Sequence, residues 1–136
     1  MPHTKFQAEV LTPEGEVFNE EVEMVSTRTT VGEIGILAHH TPVLGTLEAT
    51  ELRLYRSDNE IVRFAQGEGY LQVGGNHVML LVQDATRPED LDVSVLRERL
   101  AEAERELADT EEDSEQHRQA LRAQLRWQAF LRIAES

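Results

Sequence analysis

Cysteine is absent from the 136 residues, which excludes disulfide staples, thiol nucleophiles and thiolate metal sites together. Base is scarce: 13 Lys and Arg stand against 26 Asp and Glu, for a formal net charge of −13. That balance argues strongly against a nucleic-acid binder, which needs cations in excess to neutralise phosphates. It argues equally against a polybasic grip on anionic lipid. No apolar run approaches the ~18 to 20 residues of a membrane span. The opening Met1-Pro2-His3-Thr4-Lys5 has neither the apolar core of a signal peptide nor the Arg-rich pattern of a transit peptide. No serine lies in a G-x-S-x-G elbow, and no Gly-Lys-Ser/Thr phosphate loop occurs. What is present is an acidic, globular composition, 40% hydrophobic, of a length for one domain or a small domain with an appendage.

Glycine and proline also run out along the chain. All eight glycines fall between Gly15 and Gly75, and no proline follows Pro88. Before that boundary the apolar pattern has period two. Phe6, Ala8 and Val10 share one parity, as do Leu52 with Leu54, Val62 with Phe64, and Val78 with Leu80 and Val82. Such short runs predict strands with one buried face. Pro13-Glu14-Gly15, Ser57-Asp58-Asn59 and Gly74-Gly75-Asn76 supply turns between them. The pattern predicts a mainly β sandwich or flattened barrel over residues 1–87.

After Pro88 the period changes to that of a helix. Val93, Leu96, Leu100, Ala103 and Leu107 are spaced three and four apart, with the Thr86-Arg87-Pro88-Glu89 box, Asp90 or Asp92 as candidate N-caps. Thr110-Glu111-Glu112-Asp113-Ser114 breaks the stripe, and Asp113 can cap a second helix carrying Ala120, Ala123, Trp127, Phe130 and Ala134, with Leu121 and Leu125 offset. Two helices joined by a short polar loop predict an antiparallel hairpin over 88–136, packed on Leu96, Leu100, Leu107, Trp127 and Phe130. Charge follows the same division. Residues 1–87 hold 13 acids and 6 bases, 88–115 hold 12 and 3, and 116–136 hold one acid and four arginines.

Without cysteine, the histidines are the metal ligands to weigh. His39 and His40 are adjacent and, on a strand, would point to opposite faces; His77 stands beside a turn and is expected exposed, and His3 is terminal. No metal site is expected.

Gly32-Glu33-Ile34-Gly35-Ile36-Leu37-Ala38-His39-His40-Thr41-Pro42-Val43-Leu44 resembles the G-x-x-G-I-x-x-x-H-x-P-L loop of the F-type ATP synthase epsilon subunit. The opening Phe6 to Gly15, the Gly67-Glu68-Gly69-Tyr70-Leu71-Gln72-Val73 stretch, and Leu81 to Ala85 followed by Asp90-Leu91-Asp92 are similar to further landmarks of that family in the same order. The resemblance runs from about Lys5 to Ile133. It implies a non-catalytic subunit of the rotary central stalk in a proton-translocating synthase. The sandwich would meet the gamma subunit and the rotor-ring c subunits, with Glu33, His40 and Pro42 aligned to ring-contact positions. The bland alternative makes Gly32 to Pro42 a mere connection, with Gly32 and Gly35 supplying positive φ and Pro42 fixing a turn; His39 stands where the family often has a small residue. The hairpin would fold onto the sandwich or extend toward the alpha and beta catalytic subunits and brake hydrolysis. Location would be peripheral, at the cytoplasmic face of the cell membrane, without insertion.

Arg118, Arg122 and Arg126 form an i, i+4, i+8 stripe with Arg132 a little round the helix. They are expected to pair with Glu98, Glu102 and Glu106 of the first helix when the hairpin is closed; when it opens, the resemblance implies an acidic segment of the beta subunit as their partner. Some family members bind ATP through an Ile/Leu-Asp-x-x-Arg-Ala motif. Here Leu91-Asp92-Val93-Ser94 is followed by Val95-Leu96, so the arginine is missing. Asp92, Arg122 and Arg126 are what remains of such a site, and weak or no ATP binding is expected, with no cofactor. The competing readings are a small β-barrel enzyme with a histidine metal centre and an unrelated assembly adaptor.

Overall fold

Alternation of apolar and polar residues builds the strands, and each apolar series turns inward. A computed structural model describes residues 4–136; His3, considered above as a ligand, lies outside the described residues. The strands are β1 (Phe6–Thr12), β2 (Gly15–Val22), β3 (Met24–Thr29), β4 (Gly32–Ile36), β5 (Val43–Leu47), β6 (Thr50–Ser57), β7 (Glu60–Gln66), β8 (Gly69–Gly74), β9 (His77–Val82) and β10 (Ala85–Thr86). A 3-10 turn, Pro88–Asp90, leads into α1 (Val93–Asp109) and α2 (Glu115–Glu135).

The strands form one sheet in the order β10-β7-β6-β3-β5-β8-β9-β1-β2, with β4 paired to β3 off this path. Among the described residues only β1 and β9 are parallel, with Gln7 opposite His77 and Leu11 opposite Leu81. The sheet curls into a nearly closed sandwich. β2 is drawn against β6 by the Glu23 amide, which donates to the Tyr55 carbonyl at 2.7 Å. Arg56 completes the seam, donating from Nε and Nη2 to the two Glu20 carboxylate oxygens at 2.7 and 2.8 Å. Phe6, Ala8, Val10, Leu52, Leu54, Val62, Phe64, Val78, Leu80 and Val82 all sit in the core, as their parity requires, joined by Phe18, Val22, Val25, Ile36, Leu47, Leu71 and Val73. Gly75 and Asn76 both take left-handed φ, +57° and +59°, the geometry of a tight primed hairpin turn.

Asp92 caps α1: its Oδ1 accepts from the Ser94 and Val95 amides at 3.0 and 3.2 Å. The cap of α2 is Ser114, whose Oγ accepts from the His117 amide at 3.1 Å, one residue later than the expected Asp113. The serine hydroxyl reaches back to the Glu111 carbonyl at 2.7 Å as well, so it closes the loop as it starts the helix. The two helices pack as a hairpin lying on the sandwich. Leu96, Ala129, Phe130 and Leu131 make a second apolar cluster on Ala65 of β7, with Ala49, Leu100 and Trp127 beside them. Trp127 meets Phe130 edge to face at 5.6 Å. Leu107 is half-buried farther along α1, and Leu121 and Leu125 are exposed.

Candidate functional site

Three surfaces carry the residues of interest: one end of the sandwich, one outer face of its sheet, and the seam under α2. β3 and β8 both run antiparallel to β5. The β3–β4 turn, the loop 37–42 before β5 and the β8–β9 turn therefore converge on one end. That end holds Glu33, His40 and Pro42. Glu33 stands opposite Arg28 in the β3–β4 register and pairs with it at 3.4 Å, both side chains solvated. His40 donates from Nδ1 to the Thr41 carbonyl at 2.7 Å, which leaves Nε2 as an acceptor. Pro42 is exposed.

Two expectations for this loop change. Gly32 takes φ +130°, but Gly35 does not take positive φ; it lies inside β4 opposite Ser26. The left-handed residue is His39, at φ +64°, which accounts physically for the preference for a small residue there. Its amide donates to the Asn76 side-chain oxygen at 3.1 Å, tying the loop to the β8–β9 turn. His39 and His40 thus occupy a turn and the segment after it, not a strand. His77 is half-buried, with Nε2 3.5 Å from a Glu9 oxygen, rather than exposed.

Sequence reading missed how apolar this part of the surface is. Val31 at the turn is 96% exposed and Leu44 84%. On the outer face, Thr46, Tyr70, Leu81 and Leu11 stand in one register row across β5, β8, β9 and β1, and Tyr70 is 67% exposed. These side chains alternate with core neighbours, so period two identified the inner set and was silent on the outer one.

The arginines of α2 do not pair with Glu98, Glu102 or Glu106. Arg118 and Arg122 both turn to Glu115 on their own helix, at 3.1 and 3.2 Å, and the first of these bonds is the main reason the Glu115 carboxyl sits below its ordinary range. Arg132 is exposed. The single ion pair between the helices joins Arg97 to Glu135 at 3.1 Å, among the described residues. Arg126 points inward instead. Its Nε and Nη2 donate to the two oxygens of Glu68 at 2.7 Å each, and Asp84 stands 3.8 Å away.

The seat for this guanidinium is built by two corners of the sheet. The Gly67 amide donates to the Asp84 carbonyl at 2.8 Å, and the Gln83 amide to the Glu68 carbonyl at 2.9 Å. A Cβ at Gly69 would lie 1.9 Å from the Leu81 carbonyl oxygen, so only glycine allows the corners to close. Glu68 and Asp84 are thereby held side by side. Burial pushes the Glu68 carboxyl up, but the Arg126 hydrogen bonds, a backbone hydrogen bond and the charges of Arg126 and Arg122 together outweigh it and leave it below its ordinary value. For Asp84 burial prevails, and its carboxyl is raised. Arg126 also lies over the Trp127 ring at 5.0 Å, and Arg99 of α1 lies over the same ring at 5.0 Å.

Around the start of α1, a cavity of about 230 Å³ is lined by Asp84, Asp90 and Asp92 against the one cation Arg99. With Asp92 engaged as a helix cap, Arg122 on Glu115 and Arg126 on Glu68, these residues do not fit a polyphosphate.

Comparison with known proteins gives a consistent picture. Residues 5–88 match the family model described as ATP synthase, Delta/Epsilon chain, beta-sandwich domain. The ATP synthase epsilon chain of Priestia megaterium is 40% identical over 105 residues, covering 76% of this chain and 77% of that one. The epsilon chain from a Sulfurihydrogenibium species is 30% identical over 131 residues, 96% of this chain and 98% of its own. Among solved structures, a chain of the Euglena gracilis mitochondrial ATP synthase OSCP/F1/c-ring assembly shares the fold. Its TM-score is 0.78 at 20% identity, over 97% of this chain and 82% of that one.

Proposed function

Since the chain belongs to the family of ATP synthase epsilon chains, a non-catalytic subunit of that complex, we propose that its sandwich couples the gamma subunit to the membrane rotor ring and that its hairpin brakes hydrolysis. The observation that carries the coupling role is the apolar dress of the sandwich outside its core. Leu44 and Tyr70 project into solvent from a face whose inner side is already filled. Large side chains so exposed and contiguous mark a contact surface, and gamma is the partner this reading gives them. At the adjoining end Glu33, His40 and Pro42, with Val31, offer a small mixed surface to the short polar loops of the ring c subunits. The subunit would then sit peripherally at the cytoplasmic face of the membrane; no described helix is long and apolar enough to cross one.

Residues 88–136 form the regulatory arm in this reading. Arg118, Arg122 and Arg132, with exposed Leu121 and Leu125 between them, present a basic and apolar stripe to an acidic segment of the catalytic subunits once the arm extends. ATP is not needed to hold the arm, and weak or no nucleotide binding follows from the acidic hinge cavity.

Reconstitution on a gamma-containing catalytic core tests both roles. The full chain is expected to bind, and the Leu44→Asp/Tyr70→Asp variant to bind at least about tenfold more weakly. A chain ending at residue 87 is expected to bind like the full chain while hydrolysis rises. Failure of the full chain to bind overturns the coupling role, and unchanged hydrolysis on truncation removes the brake.

A further inference from the structure

The hairpin has little to hold it on the sandwich. On the strand side the apolar seam consists of Ala65 and Ala49, small side chains that bury little surface against Leu96, Ala129, Phe130 and Leu131. Apart from a loose Arg87–Glu89 contact of 4.0 Å at the join itself, the remaining ion pairs of the arm are its own: Arg97 with Glu135, and Arg118 and Arg122 with Glu115. All of them travel with the helices. Among the described residues, Arg126 alone makes ion pairs from the hairpin to the strands, and it does so as a two-pronged fork with both side chains largely shielded from water.

We propose that the Arg126–Glu68 fork is the latch that sets whether the arm lies on the sandwich. This rests on the mobile-arm reading above and names the contact that governs it. A charged pair of this kind contributes modestly when intact. Removing one partner costs more, because the other charge is left half-buried without compensation. The two arginine classes on α2 then divide the work. Arg118, Arg122 and Arg132 face solvent in the closed form, ready for an acidic partner. Arg126 is withheld, and joins that stripe only when the latch opens.

The absence of native cysteine allows a clean test on the full chain. Asp58→Cys on the β6–β7 turn and Glu112→Cys on the interhelical loop take a donor–acceptor or spin-label pair, and the distance distribution reads the closed and open populations. Glu68→Gln and Arg126→Gln are each expected to raise the open fraction about tenfold. The charge-reversed pair Glu68→Arg/Arg126→Glu is expected to recover closure that Glu68→Arg alone loses. Ala129→Glu, which places a carboxylate in the seam without touching the latch, serves as the reference for an opened arm. If Ala129→Glu opens the arm while Glu68→Gln and Arg126→Gln leave it closed, the latch is overturned and the mobile arm survives. If no variant opens it, the mobile-arm reading fails and the latch with it.

Discussion

Glu68 and Asp84 stand beside the same guanidinium and are pushed in opposite directions. Burial raises the Glu68 carboxyl, but the Arg126 bonds to its ionised form, with a backbone hydrogen bond, bring it below its ordinary value. The Asp84 carboxyl is raised because burial outweighs a more distant Arg126, and the neighbouring Glu68 charge acts in the same direction as burial. Arg122 adds to the lowering of Glu68, Glu14 to the raising of Asp84, and Arg99 opposes the latter. A lowered carboxyl contributes closure that is complete above its ordinary pKa and lost as pH falls through its lowered value. A raised one works the other way: its ionised form opposes closure, and protonation relieves it. Asp84→Asn is therefore expected to leave closure at pH 7 intact or strengthened, the reverse of Glu68→Gln. As pH falls below the ordinary carboxylate range of about 4, the wild type is expected to open, whereas Glu68→Gln, left with Asp84 alone, is expected not to open further and to regain closure as Asp84 protonates. Emission from Trp127, the one tryptophan and a neighbour of Arg126, follows both titrations. None of this pairing was legible in the sequence. Arg126 fits the helical stripe with Arg118 and Arg122, but its partner lies 58 positions away and is presented by a glycine-flanked corner whose closure no local pattern encodes.

At the scale of the element, the sequence was most readable where period and burial coincide. β1, β6, β7 and β9 follow directly from their alternating residues. β4 is harder: Gly32-Glu33-Ile34-Gly35-Ile36 reads as a loop because two glycines dilute the pattern, yet it pairs along β3 from Thr29–Gly32 to Val25–Ile36. The helices were legible from their stripes, whereas the start of α2 shifted by one residue because Asp113 and Ser114 both qualify by type. Their geometry decides between them, and Ser114 makes the bond. Ser114→Ala is expected to destabilise the hairpin by about 1 kcal/mol, while Asp113→Ala has little effect through capping. Hydrogen exchange of the first turn of α2 measures the difference.

Across the whole molecule the net charge of −13 resolves into parts with different fates. The acidic α1 and the basic α2 are neighbours, but the α1 acids are left in solvent, Arg118 and Arg122 turn to Glu115 on their own helix, and Arg126 turns to the sandwich. The attraction expected between them reduces to one pair at the open end of the hairpin. The sandwich core contains no hairpin residue. Residues 1–87 are accordingly expected to fold alone, unfolding cooperatively with a Tm lowered by roughly 5 to 15 °C for a loss of about 1 to 2 kcal/mol. A calorimetric scan of the truncated chain checks this, and a chain without a cooperative transition contradicts it.

The single parallel pair has a consequence in time. β1 lies between β2, its neighbour in sequence, and β9, which begins at His77. As the chain is synthesised, the β1–β2 hairpin can form early but keeps one edge bare until β9 emerges, its partner residues standing 70 positions beyond those of β1, as His77 does from Gln7. Closing a loop of that length delays the reward for its contacts, so refolding belongs in the millisecond-to-second regime of nonlocal β proteins. The corner that seats Arg126 follows immediately after β9. The sandwich must therefore be complete before the arm has anywhere to land.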